Sequence, residues 1–205
     1  MDMSIPYESR GRTRQKSRTR AALLGATREL LAEGVSPTIE QAADRADVSR
    51  TTAYRYFPNQ RLLLLATYPE LETASLLGPE PPAEPAARLE LAAERFTRQV
   101  LDHEPELRAQ LRLSLDPTHD PGSLPFRQGR GIGWIEDAVA PLRDRMSASE
   151  LRRLVLSIRA TLGIEALVWL TDIAGLGREQ AVELMRSSAR TLLRAAVADA
   201  GADRP

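Results

Sequence analysis

Apolar residues recur at helical spacing along almost the whole chain, and no stretch alternates cleanly between apolar and polar over five or more residues. β-Branched and aromatic side chains, the natural fillers of a pleated sheet, are sparse: Phe, Trp and Tyr together make up 4% of 205 residues. An all-α fold of about nine helices follows. A first helix over residues 18–33 places Ala22, Leu23, Ala26, Leu30 and Leu31 on one stripe, and Gly34 ends it. Two short helices cover residues 38–45 and 50–56. A fourth starts after Asn59, an N-cap, and runs to about residue 77. Residues 78–85 (GPEPPAEP) hold four prolines in eight positions, which excludes a helix interior and marks a connection. Longer helices follow over 86–102, 106–115, 131–145, 149–174 and 178–200. Ser149 reads as a simple N-cap, because Arg152 three residues on is no capping-box acid. Residues 116–129, rich in Pro and Gly, read as a loop or flap.

The helix over residues 50–56 is the odd one. It carries Arg50, Thr51, Thr52, Tyr54, Arg55 and Tyr56, poor core material but well suited to bases and phosphates. Before it, Thr38 caps an alanine-rich helix whose inward face is Ala42, Ala43 and Ala46, small enough for a neighbouring helix to approach closely. Asp47 stands where the chain turns, Val48 plugs the core and Ser49 caps the second helix. Ala53 and Phe57 face inward. Arg50, Thr51 and Arg55 face outward, Arg50 being the best candidate for a bidentate contact to guanine. Thr52, Tyr54 and Tyr56 suit phosphates, which fix register.

Formal net charge is zero, yet its distribution is uneven. Residues 1–61 hold 11 Lys/Arg against 7 Asp/Glu, and Arg10, Arg12, Arg14, Lys16, Arg18 and Arg20 follow one another without an acid. Such asymmetry points to nucleic acid. Residues 1–17 read as a flexible basic arm. The chain has no Cys, which excludes disulfides and thiolate metal sites. The basic N-terminus lacks the apolar region of a signal peptide, and the longest apolar run, residues 62–66, is far short of a membrane span. A cytoplasmic protein is expected, with no membrane partner. Abundant Arg and Ala, with Lys16 the only lysine, suggest a GC-rich bacterial source. No Gly-rich phosphate loop or nucleophile–base grouping stands out, so neither enzyme nor cofactor is expected. His103 and His119 lack the spacing of a metal site.

The string VSRTTAYRYFPNQRLLL, with the helix before it, the Gly34 break and the Thr38, Ile39 and Ala43 positions, resembles the TetR (tetracycline repressor-like) family of bacterial regulators. The resemblance covers residues 18–65; beyond residue 85 it is architectural. It implies a helix-turn-helix over about 38–57 in a DNA-binding domain of residues 18–65. A larger helical regulatory and dimerisation domain would follow over 66–205. It implies that positions matching Arg50, Thr51 and Arg55 face bases in the major groove. Thr38, Ser49, Thr52, Tyr54, Tyr56 and Gln60 would lie at or near phosphates. Three residues depart from the family pattern: Asp47 replaces a turn glycine, Ala53 a leucine and Gln60 a lysine. The basic arm would offset the lost charge by reaching phosphates or a minor groove.

The resemblance also implies an operator of two-fold symmetry bound by a homodimer, joined through the last two long helices, about residues 149–200. Leu151, Leu154, Val155, Ile158, Trp169 and Ile173 on one, with Val182, Leu184, Met185 and Leu193 on the other, cover more than one face. An unidentified small-molecule effector would sit among Phe96, Val100, His103, Leu111, Trp134 and Trp169, each of which also suits plain core packing. The expected function is a DNA-binding regulator, a repressor released by its ligand. The alternative is a ligand-binding or scaffolding protein of the same fold with weak specific DNA binding.

Overall fold

The computed structural model describes residues 7–67, 74–115 and 130–202, with side chains from residue 14 onward. Every regular element among them is helical. The chain divides into two compact units, Met1–Glu70 with Pro105–His119, and Leu71–Glu104 with Asp120–Pro205. The expected flap over residues 116–129 lies outside the described residues.

In the first unit α1 spans Tyr7–Ala32, α2 Ile39–Arg45, α3 Arg50–Tyr56 and α4 Gln60–Ala66. The start of α1 corrects the reading of residues 1–17 as a flexible arm: from Tyr7 onward the arm is helix. Arg and Gln propagate a helix well, and between Tyr7 and Arg18 no proline breaks one, Gly11 alone opposing it. Sequence reasoning stopped at Arg18 because the apolar stripe stops there, and a stripe reports burial rather than helicity. Both α1 and α2 end in a left-handed residue that allows two closing hydrogen bonds. At Gly34 (φ 80°) these are Gly34 N–H to Leu31 O and Val35 N–H to Leu30 O. At Asp47 (φ 53°) they are Asp47 N–H to Asp44 O and Val48 N–H to Ala43 O. Leu23, Leu24, Ile39, Ala42, Ala43, Ala53, Phe57 and Leu63 form one core, with Val48 and Tyr56 packed against it. Ala22 is exposed, so the buried stripe of α1 begins at Leu23. The cap at Asn59 is present, its side chain accepting from Leu62 N–H at 2.9 Å, but α4 closes at Thr67, well before residue 77. α6, Glu104–Ser114, adds Ala109 and Leu113 to a smaller cluster with Leu31 and Leu64.

The second unit holds α5 (Pro85–Asp102), α7 (Arg130–Ala138), α8 (Ala148–Thr161), α9 (Ile164–Val168) and α10 (Arg178–Ala202). α10 packs on α5, α8 and α9. Leu89, Ile135, Leu142, Ile158, Leu162, Leu167 and Met185 are fully buried. The cap of α8 corrects the reading of Ser149. Ser147 caps it, accepting from Glu150 N–H while Ser147 N–H donates to the Glu150 carboxylate at 2.8 Å. The capping box was present in the sequence two residues earlier. The helix expected over 149–174 is also broken, at Leu162 and Gly163, the latter with φ 118°. It resumes as α9 and continues in one π-helical turn, Trp169–Ile173, before Gly175 (φ 73°). No single helix among the described residues is long and apolar enough to cross a membrane.

Candidate nucleic-acid interface

α2 and α3 meet through residues small enough to let their backbones approach: Ala42 and Ala43 on one, Ala53 on the other, all fully buried. Thr38 fixes the start of α2 with a capping box: its Oγ1 accepts from Gln41 N–H at 3.2 Å, and its own N–H donates to Gln41 Oε1 at 2.8 Å. Ser49 fixes α3, its Oγ accepting from Thr52 N–H at 3.3 Å and donating to Thr52 Oγ1 at 2.9 Å. Of the seven residues of α3 only Ala53 is buried. Arg50, Thr51, Tyr54 and Arg55 are exposed, and Thr52 and Tyr56 half-buried. Phe57 closes α3, its N–H donating to Ala53 O.

Acids share this surface. The Tyr54 hydroxyl donates to Glu40, which holds the Glu40 carboxyl below its ordinary range and pushes the Tyr54 phenol up. Arg50 lies 3.7 Å from Asp44, both about two-thirds exposed. An ion pair so solvated contributes little and is readily exchanged for a phosphate or a base. Arg45 turns away from α3 to Glu33 at 2.8 Å and Glu29 at 3.5 Å. Between Thr38 and Phe57 three acids (Glu40, Asp44, Asp47) face three arginines (Arg45, Arg50, Arg55), so this segment has no net charge of its own. Gln60 directs its Nε2 inward, to Pro37 O at 2.9 Å and Ser36 O at 3.4 Å, which ties α4 to the loop before α2. Both amide hydrogens are thereby engaged, so a phosphate would have to displace one. Nothing in the sequence distinguished this use of Gln60 from a phosphate contact.

Five of the six candidate effector residues fall in the second unit. Phe96 and Trp134 are buried and pack edge to face with ring centroids 5.3 Å apart. Val100 is buried one turn along α5 from Phe96, and His103 caps that helix, half-buried. Leu111 belongs to the other unit. Trp169 is 57% exposed. Sequence reasoning missed Arg159. Its guanidinium lies 5.4 Å from the Phe96 ring centroid and 3.6 Å from Glu165. Gly131 and Gly163 cradle it: a Cβ there would come within 2.8 Å and 2.6 Å of Arg159 atoms. Two grooves lie along α10. One of about 360 Å³ is lined by Ala86, Ser187, Arg190, Thr191, Leu193 and Arg194. The other, of about 160 Å³, includes Met146, Leu154, Leu192 and Ala196. None of the six candidates lines either.

A capped alanine-backed helix, a tight turn and a short polar helix, in an all-α chain with a second helical unit, make up a helix-turn-helix of the kind that TetR-like transcriptional regulators carry. The chain is similar to the HTH-type transcriptional repressor KstR of Rhodococcus jostii (strain RHA1), 28% identical over 183 residues that cover 73% of this chain and 84% of the relative. No family model matches the chain. No solved structure matches it either.

Proposed function

We propose that the chain is a homodimeric repressor that binds a palindromic operator and is released from it by a small molecule. One observation carries this: α3 buries only an alanine and leaves Arg50, Thr51, Tyr54 and Arg55 exposed. A helix that buries so little is retained for what it touches outside. The repressor named above, similar over most of its length, supports the same reading. Arg50, Thr51 and Arg55 read bases; Thr38, Ser49, Thr52, Tyr54 and Tyr56 hold phosphates. Two copies of α3 about 34 Å apart match successive major grooves. Such a protein works in the bacterial cytoplasm, where its operator is.

Release follows from a shift between two conformations. α6 is the element placed to transmit it. Its first residue, Glu104, accepts two hydrogen bonds from Arg178 of α10, at 2.7 Å and 3.1 Å. Its later residues Ala109 and Leu113 pack on Leu31 and Leu64 of the DNA-binding unit. A coupling of about 1–3 kcal/mol weakens operator affinity about 5–150-fold.

A gel-shift series with genomic fragments tests the reading, which fails if no fragment is retained in preference to random DNA at moderate salt. On a retained fragment, Arg50→Ala and Arg55→Ala are each expected to cost about 1–3 kcal/mol and to relax specificity at one position. A second reading, a ligand-binding or scaffolding protein with weak specific DNA binding, is favoured by Asp47 and by the zero net charge of residues 38–57. It predicts equal, small losses for the two variants on every sequence.

A further inference from the structure

The helix-turn-helix has no charge surplus, yet attraction to phosphate supplies nearly all of sequence-independent DNA affinity. The surplus of the first unit lies on α1. Between Glu8 and Glu29 no acid occurs, and Arg14, Lys16, Arg18 and Arg20 are all exposed. Among the described side chains of α1, core burial starts at Leu23. The sixteen helical residues before it extend about 24 Å at 1.5 Å per residue. The rod leaves the core beside the end of α3: the Arg20 guanidinium lies 5.8 Å from the ring centroid of Phe57, the C-cap of that helix.

We infer that the part of α1 before Leu23 is a second DNA-contacting element, a helical rod whose Arg14, Lys16, Arg18 and Arg20 follow the phosphate backbone flanking each half-site. This rests on the DNA-binding reading above. Three physical points carry it. First, Arg14 and Arg18, like Lys16 and Arg20, stand four apart on one helix face, where like charges repel. The arrangement opposes its own helix, and a polyanion relieves that opposition. Second, an α-helix is about 10–12 Å across, whereas the minor groove is about 6 Å wide. The rod therefore cannot enter the minor groove as an extended arm would, and phosphates remain as its partner. Third, about 24 Å of rod spans about seven base pairs at about 3.4 Å each, a useful extension of a two-turn recognition helix.

The experiment compares the full chain with the triple variant Arg14→Gln, Lys16→Gln, Arg18→Gln, all at exposed positions. The probe is a 40-base-pair duplex of random sequence, and the readout is the slope of log affinity against log salt. Wild type should bind steeply. The variant's slope should fall by about 2–3 per protomer, while its preference among sequences on the genomic fragment stays unchanged. A charge-matched control in the second unit, Arg143→Gln, Arg145→Gln, Arg153→Gln, should leave the slope alone. If wild type binds and the arm variant's slope is unaltered, or the control lowers it equally, the rod is overturned while the DNA-binding reading stands. If wild type does not bind duplex DNA at all, the underlying reading fails. Placing A·T runs or G·C runs beside the half-site should not change affinity; a preference for A·T runs would indicate minor-groove entry and overturn the phosphate assignment.

Discussion

Asp47 is the residue that shows most clearly how local physics shapes this surface. A non-glycine residue at φ 53° bears a steric cost that Asp tolerates better than most side chains, and glycine does not bear at all. The position is nevertheless required, since both bonds that close α2 depend on it. Asp47→Gly is therefore expected to stabilise the protein by about 0.5–1 kcal/mol, read as a shift in the urea midpoint at unchanged slope. It should also tighten DNA binding by removing a negative charge beside α3. A loss of stability would show that the Asp47 carboxylate makes a contact worth more than the strain. The turn was legible in the sequence, as were the caps at Thr38, Ser49 and Asn59, because each depends on a few adjacent residues. Gln60 and Tyr54 were not, because their partners, Pro37 and Glu40, lie 23 and 14 residues away.

Between elements, the best-defined clasp joins α5 to α10. Glu90 accepts from Arg186 Nε at 3.1 Å and from Arg190 Nη1 at 3.1 Å, and Arg190 also donates to Glu183 at 2.8 Å. Burial pushes the Glu90 carboxyl up, but the two guanidinium groups more than reverse it and leave it below its ordinary value of 4.5. The folded state thus binds that proton less readily than the unfolded chain does. The clasp's contribution is complete above the ordinary value and is lost as pH falls through the depressed one. Wild type should exceed Glu90→Gln in thermal midpoint at pH 7, and the gap should narrow as pH falls below 4.5. A gap independent of pH would assign Glu90 a packing role only. Helix type was legible from periodicity alone, but the number was not: about nine helices were expected, and ten α-helices occur among the described residues. The break at Leu162 and Gly163 was not legible either, since Leu162 fits the apolar stripe and glycine is tolerated within helices; the cradle around Arg159 that requires Gly163 is made by residues distant in sequence.

For the molecule as a whole, the apolar residues that the second unit leaves exposed are informative. Trp169 is 57% exposed, Ile173 73% and Leu184 44%. They lie on the segment read from sequence as a dimerisation hairpin, and side chains of this kind become buried when a second copy packs against them. Sedimentation should give a particle of twice the 22.6 kDa chain, and Ile173→Glu should shift it toward the monomer without loss of helical signal. A monomeric wild type would remove the basis for a two-fold operator. A sequence cannot separate an apolar pocket from an apolar core, because both draw on the same residues; Phe96 and Trp134, expected at a pocket, pack directly on each other.

The exposure of Lys16, the only lysine in the chain, has a chemical consequence. Apart from the α-amino group, amine-selective reagents have a single target on this protein, and it lies on the basic rod of α1. One fluorophore can thus be attached there without mutagenesis. Enzymatic acetylation of a side-chain amine would also neutralise a charge at that one position and nowhere else.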